Sequence, residues 1–291
     1  MKDKSKLFFS VVIPTYERPV DLKVCLNSFS EIRQKDSPSF EIIVTDDSHS
    51  DESKRLIERE FPNVCWGKGK QNGPAGNRNA GVDRAKGEWI VFLDDDCIAQ
   101  KNYLNAYAKA INNNPDIQVF EGRIFADRAK KTWAEGCPEN EHGGMLWTSN
   151  LCIRKGLFFE IGKFDERFKV AFEDVDFAYR LKKNNHLTIF VAEAAVCHPW
   201  RSLRSGGKNW KRRGYEVESL FLFIEKHGTN EKANINLYIR YLIRTITTDQ
   251  IKSIIQFKCR GYTFLISQIF TILLSILVLI RFEWVKFTRK R

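Results

Sequence analysis

Three carboxylates close an apolar run in Phe92-Leu93-Asp94-Asp95-Asp96. Adjacent anions repel one another unless a cation joins them, and carboxylates with phosphate oxygens are the hard donors that Mg2+ or Mn2+ accepts. Alternation along a strand would put Asp94 and Asp96 on one face at its mouth. The competing reading is an acidic turn that caps the helix expected over Asn102 to Asn113. A second acidic run, Phe172-Glu173-Asp174-Val175-Asp176, falls where a helix should begin. The helix dipole favours an ionised carboxylate in the first turn, which suits a general base at neutral pH. The same dipole makes acidic residues common there for structural reasons alone. Cys197-His198-Pro199 follows a strand-like run. Its imidazole can complete a site of carboxylate and phosphate oxygens, although a lone histidine is more often an ordinary hydrogen-bonded residue. Gly73-Pro74-Ala75-Gly76-Asn77-Arg78-Asn79-Ala80-Gly81 is a Gly-rich turn feeding a helix. Its first amides, with Asn77 and Arg78, could face phosphate or base, or it is a tight turn and nothing more.

Apolar runs alternate with helix-period segments through the first half, the signature of an α/β domain with a largely parallel sheet. Phe8 to Pro14 reads as the first strand. Leu22, Cys25, Leu26, Phe29 and Ile32 recur at helical spacing, and Glu41 to Thr45 is the second strand of a βαβ unit. A helix around Glu52 to Glu60, a short strand near Val64, a helix opening near Gly76 and the run Trp89 to Leu93 follow. In open α/β sheets the ligand crevice lies beyond the carboxyl ends of the strands, where Asp46, Asp47 and the three later aspartates fall. Further along, 117–125 reads as a strand, 155–161 and 172–183 as helices, and 187–191 as a strand. Residues 128–148 are turn-rich and match no element.

The 291 residues suit a catalytic domain over 1–227 and a helical appendage over 228–291. Seven scattered cysteines without a CxxC pair suggest neither a disulfide framework nor a zinc site, which fits a reducing compartment. The first ten residues lack the apolar region of a secretory signal. The formal charge of +11 is unevenly placed: from His198 on there are 18 Lys and Arg against 6 Asp and Glu, whereas residues 1–197 hold 29 against 30. A basic tail beside a long apolar stretch fits anionic lipid better than a nucleic-acid groove, so a membrane surface and no nucleic acid is the expectation. Trp200 to Gly214 carries six cations and no acid around a Gly-Gly pair, and a mobile basic loop is expected over 198–214. Residues 261–280 are twenty in number and uncharged, about the 20 that cross a bilayer core as a helix. Basic residues on both sides leave crossing and lying in the membrane both open.

Taken in order, SVVIPTYERP, EIIVTDDSHSDES, NGPAGNRNAGVDRAKGEWIVFLDDDC, GKFDERFKVAFEDVDFAYRL and AVCHP resemble the family 2 glycosyltransferases of the GT-A fold, across nearly all of residues 8–200. The resemblance implies a Rossmann-like, mostly parallel sheet flanked by helices. It also implies that Pro14, Thr15, Tyr16 and Glu17 cup a nucleotide base, with Asp47 on base or ribose and Asp46 beside it. Asn77 and Arg78 join the nucleotide site. The family's DxD falls on Asp94 and Asp96, which with His198 make the implied metal set, Asp96 foremost as direct ligand; Asp94 and Asp95 also join the nucleotide site, the additional Asp95 on ribose or donor sugar. The catalytic base falls on Asp174, with Glu173 beside it. The implied reaction moves a sugar, with inversion, from a nucleotide-diphosphate sugar, a UDP-sugar foremost, to a hydroxyl of a glycan or lipid-linked acceptor. Mn2+ or Mg2+ is the implied cofactor; the scattered cysteines and the basic, apolar tail add the expectation of a lipid-linked acceptor and of the cytoplasmic face of the cell membrane, in bacterial surface polysaccharide synthesis. Three competing readings are a nucleotidyltransferase, a polyprenyl-phosphate sugar synthase, and a non-catalytic membrane-bound scaffold of the same fold.

Overall fold

The computed structural model describes residues 8–131, 135–202 and 207–228. The chain divides into two compact units, one of residues up to 128 with 137–169 and 173–199, the other of 129–136, 170–172 and 200 onward. The elements run β1 (Phe9–Thr15), α1 (Pro19–Asn27), β2 (Phe40–Asp46), α2 (Glu52–Glu60), β3 (Val64–Lys68), α3 (Pro74–Arg84), β4 (Trp89–Leu93), β5 (Ile98–Ala99) and α4 (Tyr103–Asn113). They continue with β6 (Val119–Ala126), β7 (Glu135–Gly136), β8 (Asn150–Arg154), α5 (Lys155–Glu160), α6 (Glu173–Lys183), β9 (Thr188–His198), β10 (Arg201–Ser202) and α7 (Gly207–His227).

Eight strands form one sheet in the order β3-β2-β1-β4-β8-β6-β9-β5. β3, β2, β1 and β4 pair in parallel, as βαβ periodicity requires. β8 then runs antiparallel to both β4 and β6, and β5 antiparallel to β9. The sheet is therefore mixed, and the expected parallel pattern is confined mainly to its first half. β8 (NLCIR) is too short and too uniformly buried to show a period, so it escapes a reading based on alternation. β6 and β9 are parallel, with a register shift between Gly122 and Arg123. A side chain at Gly122 would begin 2.2 Å from the Ala194 carbonyl oxygen, so the two strands approach this closely only over a glycine.

Period two sorts the sheet's residues into two cores. Phe9, Val11, Ile13, Val91 and Leu93 pack with Leu22 and Cys25 of α1, Ile57 of α2, and Leu104 and Tyr107 of α4. Val12, Ile43, Ile90 and Phe92 pack on the opposite face with Ala75 and Val82 of α3, Leu157 and Phe158 of α5, and Phe177 and Leu181 of α6. In the second core Phe92, Phe158, Phe164 and Phe177 form an aromatic cluster with ring centroids 5.0–5.3 Å apart. It fixes the start of α6 against the end of β4.

Helix α1 stops at Asn27, five residues before the periodicity suggests, and Ser28 closes its last turn with its hydroxyl on the Cys25 carbonyl (2.6 Å). Phe29 stays buried whereas Ile32 is 83% exposed. β9 extends to His198, which ends the strand instead of following it. Helix α7 begins at Gly207, so the loop expected out to residue 214 is corrected from there on: beyond the Gly-Gly pair, Lys211, Arg212 and Arg213 are good helix formers. In the second unit β10 pairs antiparallel with β7, the Lys130 ammonium sits 5.4 Å from the centre of the Trp200 ring, and Phe223 packs near Phe172 (6.1 Å) and His227 (4.9 Å). Among the described residues no helix is long and apolar enough to cross a membrane. The apolar segment 261–280 and all but the first residue of the expected appendage lie outside the described residues.

Candidate functional site

The alternation that builds the two cores also divides the carboxylates. Phe92 faces α3 and α6, and Asp94, two residues on, reaches that same side. Its Oδ1 accepts from Arg78 Nη2 of α3 (2.6 Å) and its Oδ2 from the Ser149 hydroxyl (2.8 Å). Leu93 faces α1, and Asp95 follows it: its Oδ2 accepts from the Thr15 hydroxyl (2.7 Å) and its Oδ1 from Arg18 Nη1 at the head of α1 (3.2 Å). The strand ends at Leu93, and a turn closed by the Cys97 amide on the Asp94 carbonyl (3.1 Å) carries Asp96 away from Asp94. Asp96 joins Arg18 Nη1 (3.2 Å) and His198 Nε2 (3.2 Å), not Arg78. The expectation that Asp94 and Asp96 share a face is corrected: strand alternation does not extend into the turn.

Arg78 is almost fully buried, and its second nitrogen donates to Glu173 Oε1 (2.9 Å). One guanidinium thus ties the end of β4 to the first turn of α6. Burial pushes the Glu173 carboxyl up to about 7, aided by Asp174 and opposed by Arg78. Asp174 is only half-buried and accepts the Val175 amide on Oδ1 (2.8 Å); burial raises its carboxyl as well, opposed by that hydrogen bond and Arg78. Asp176, fully buried, is engaged by Arg180 (2.8 Å), whose other nitrogens hold the Ile161 and Lys163 carbonyls. It anchors the helix. Of the three acids, Asp174 alone is reachable from outside. Phe172, just before the helix, holds a left-handed φ of 74°, an unfavourable conformation for a bulky residue.

His198 is nearly buried, with Nδ1 2.8 Å from the Pro199 carbonyl oxygen. Burial opposes its charge, but hydrogen bonds to Asp96 and Cys137 and the nearby carboxylates raise it to about 10. Among the described residues, possible metal-ligand atoms gather at Asp96, Cys97 and His198, all within 4.8 Å of one another. Asp94 lies outside this group. Burial pushes the Cys97 thiol well up, and the thiol is turned to the Ser149 carbonyl (3.8 Å), so Asp96 is the ready donor and His198 joins it only on giving up the proton that it shares with Asp96.

The remaining expected residues line the ends of β1, β2 and α3. Pro14 pairs with Thr45 across β1 and β2. Tyr16 is 54% exposed with its ring edge-on to His49 (centroids 6.1 Å), an aromatic surface open to solvent. Glu17 takes a φ of 52° and holds the 48–50 loop, accepting the His49 amide (2.7 Å) and the Ser50 hydroxyl (2.7 Å). Those bonds lower its carboxyl. Asp46 accepts the Ser48 amide (2.8 Å) and the Trp66 indole (3.3 Å), and Asp47 accepts the Gln71 amide (2.9 Å). Burial raises Asp47 above the ordinary aspartate range. Asn77 donates to the Thr15 carbonyl (3.3 Å), and its own carbonyl accepts from Thr45 (2.9 Å). Asn77 therefore braces the rim from beneath.

Arg18 and Ser149 are site residues that the sequence does not single out. Arg18 sits inside the TYERP motif and carries the signal of a cation next to an acidic rim, whereas Ser149 stands immediately before the unread strand β8. Glu121 is another. Its buried carboxylate accepts the amides of Gly144, Met145 (3.1 Å) and Leu146 (3.0 Å) and the Asn140 side chain (3.0 Å), ordering a stretch with no periodic signal.

Removing Arg78 leaves two carboxylates without their shared cation. Arg78→Met is expected to cost about 3 kcal/mol of stability in urea titration. Glu173 can escape by taking up a proton. A folded-state pKa above the unfolded one means the folded protein binds more protons, so stability falls as pH rises, and the loss should be larger at pH 8 than at pH 6. An equal loss at both would show that Arg78 is not neutralising Glu173.

The sequence model of the family described as Glycosyl transferase family 2 matches residues 10–185. An uncharacterized glycosyltransferase of Haemophilus influenzae is 26% identical over 193 residues, covering 62% of this chain and 63% of that protein. The GalNAc(5)-diNAcBac-PP-undecaprenol beta-1,3-glucosyltransferase of Campylobacter jejuni is 38% identical over 96 residues, 30% of this chain and 29% of that protein. The chain thus spans less than two thirds of the length of either relative. In fold, it is similar to S. aureus TarS 1-349 in complex with UDP-GlcNAc, with a TM-score of 0.58 at 18% identity over 90% of this chain and 79% of that one. The matched family region runs from β1 through α6 and so contains every carboxylate of the rim together with Arg78; the chain belongs to glycosyl transferase family 2.

Proposed function

We propose that the protein is an inverting glycosyltransferase that takes a sugar from a nucleotide-diphosphate donor, a UDP-sugar foremost, to a hydroxyl of a glycan or lipid-linked acceptor. The observation that carries this reading is the Arg78 bridge: one buried cation holds the donor-side Asp94 and the Glu173 that adjoins the accessible Asp174. Asp174 takes the acceptor hydroxyl's proton as that oxygen bonds to the anomeric carbon. The bond to the diphosphate breaks on the opposite face, and its electron pair leaves with the nucleoside diphosphate. Tyr16 offers its exposed ring to the base, and Asp47 and Asp95 face base, ribose or donor sugar. Asp96 offers a carboxylate oxygen, which fits Mn2+ or Mg2+ together with phosphate oxygens, and His198, once its proton is displaced, would add an imidazole nitrogen to a Mn2+ site. Such an ion, when bound, supplies positive charge to the departing diphosphate.

The choice of UDP-sugar is supported by the complexes of TarS with UDP and UDP-GlcNAc. A lipid-linked acceptor is supported by the undecaprenol-linked substrate in the Campylobacter relative's name and by the basic, apolar tail of this chain. That tail also supports a place at the cytoplasmic face of a membrane, in surface polysaccharide assembly.

Product stereochemistry tests the proposal. With a donor that the protein cleaves, proton NMR of the first-formed product should show the anomeric configuration opposite to that of the donor, in an acid-stable linkage. Retention would remove the single-displacement role of Asp174. An acid-labile product would favour a phosphate acceptor over a hydroxyl.

A further inference from the structure

Asp96 presents both carboxylate oxygens to cations: Oδ2 to Arg18 Nη1 and Oδ1 to His198 Nε2, each at 3.2 Å. The same Arg18 nitrogen reaches Asp95 Oδ1, also at 3.2 Å. The three side chains differ in freedom. Asp95 and Asp96 are nearly buried, at 6% and 4% side-chain exposure, whereas the Arg18 side chain is 46% exposed. It reaches the rim from the residue before α1, whose φ of −134° and ψ of 53° lie outside the helix. A half-exposed arginine on a turn can change rotamer at small cost, whereas the buried aspartates cannot. Arg78 makes the contrast plain, being buried and held by two short bonds to Asp94 and Glu173.

We propose that Arg18 is the resident cation of the acidic rim: with no donor bound it neutralises Asp95 and Asp96 and opposes a divalent ion at Asp96, and with donor bound its guanidinium turns to the diphosphate. A positive charge so near a metal position weakens binding there by direct repulsion and by occupying a carboxylate lone pair. A planar guanidinium is also well matched to phosphate oxygens, so the diphosphate offers it a new partner when Asp96 is given up. Arg18 would then make metal binding follow nucleotide binding. This inference rests on the reading of Asp96 as a metal ligand.

The test is Mn2+ binding by the full chain, followed through the electron paramagnetic resonance signal of free Mn2+, with and without saturating UDP. Wild type, Arg18→Gln, Arg18→Lys and Asp96→Asn are compared. Without UDP, Arg18→Gln should bind Mn2+ about tenfold more tightly than wild type, as expected for removing one nearby positive charge. Arg18→Lys, which keeps the charge, should stay near wild type. With UDP the gap should close, and UDP itself should bind Arg18→Gln more weakly. Equal or weaker Mn2+ binding by Arg18→Gln without UDP, where Asp96→Asn abolishes binding, would overturn the role of Arg18 and leave the metal site standing. Binding that Asp96→Asn leaves intact, or no Mn2+ binding by any form, would overturn the metal reading and this inference with it.

Discussion

Replacing Asp174 by asparagine is expected to lower kcat roughly a thousandfold while donor affinity stays within about twofold, the pattern for loss of a proton acceptor that acts in the transition state. The change is nearly isosteric. An amide oxygen can still accept the Val175 amide that Asp174 Oδ1 now holds at 2.8 Å, so the first turn of α6 should keep its geometry. The neighbouring acids are committed elsewhere: Glu173 is buried against Arg78, and Asp176 is held by Arg180. Neither can take over. In the wild type the pH profile should report the same group. Because burial raises the Asp174 carboxyl, activity should fall with decreasing pH at values above the ordinary aspartate range, and that acidic limb should vanish in the residual activity of Asp174→Asn. Unchanged kcat, or a loss confined to KM, would exclude Asp174 as the base.

Asp96→Ala is expected to reduce turnover at least about a hundredfold and to remove its dependence on Mn2+, since the carboxylate that pairs with His198 as a donor set is gone. The fold should survive. Asp96 lies in a turn beyond the strand, and its loss relieves repulsion from Asp95 and Asp94. His198 would lose the hydrogen bond that keeps it charged, so its imidazole should titrate nearer the ordinary histidine range, which NMR of the ring protons can follow. A variant that keeps Mn2+-dependent turnover would place the ion elsewhere.

The parts of this site that lie on regular elements were legible in the sequence. The continuous apolar run Trp89 to Leu93 announces a buried strand, and a strand that ends in three aspartates must present them at the sheet's carboxyl edge. The helical spacing of Phe177 and Leu181 likewise places Glu173 and Asp174 in a first turn. What sequence periodicity does not carry is the turn after Leu93, which sends Asp96 to His198 instead of leaving it beside Asp94. Nor does it carry β8, a buried antiparallel strand whose five residues show no period and which brings Ser149 to the rim. Asn140 and residues 144–146 are held by a distant carboxylate, Glu121, and long-range hydrogen bonds leave no periodic trace. Arg78 shows the limit from another side. Its place in a Gly-rich turn suggests phosphate, yet its guanidinium is engaged by two carboxylates from different elements, a pairing of residues 78, 94 and 173 that only the fold assembles.

The measurement that tests the central claim most directly is donor cleavage. Purified protein with Mn2+ is offered UDP-, GDP- and dTDP-sugars, and released nucleoside diphosphate is followed for wild type, Asp96→Ala and Asp174→Asn. The expected result is slow release from one donor class, UDP-sugars foremost, that is abolished in Asp96→Ala and strongly reduced in Asp174→Asn. No release and no metal-dependent binding of any donor by the wild type would contradict a nucleotide-sugar transferase at this rim.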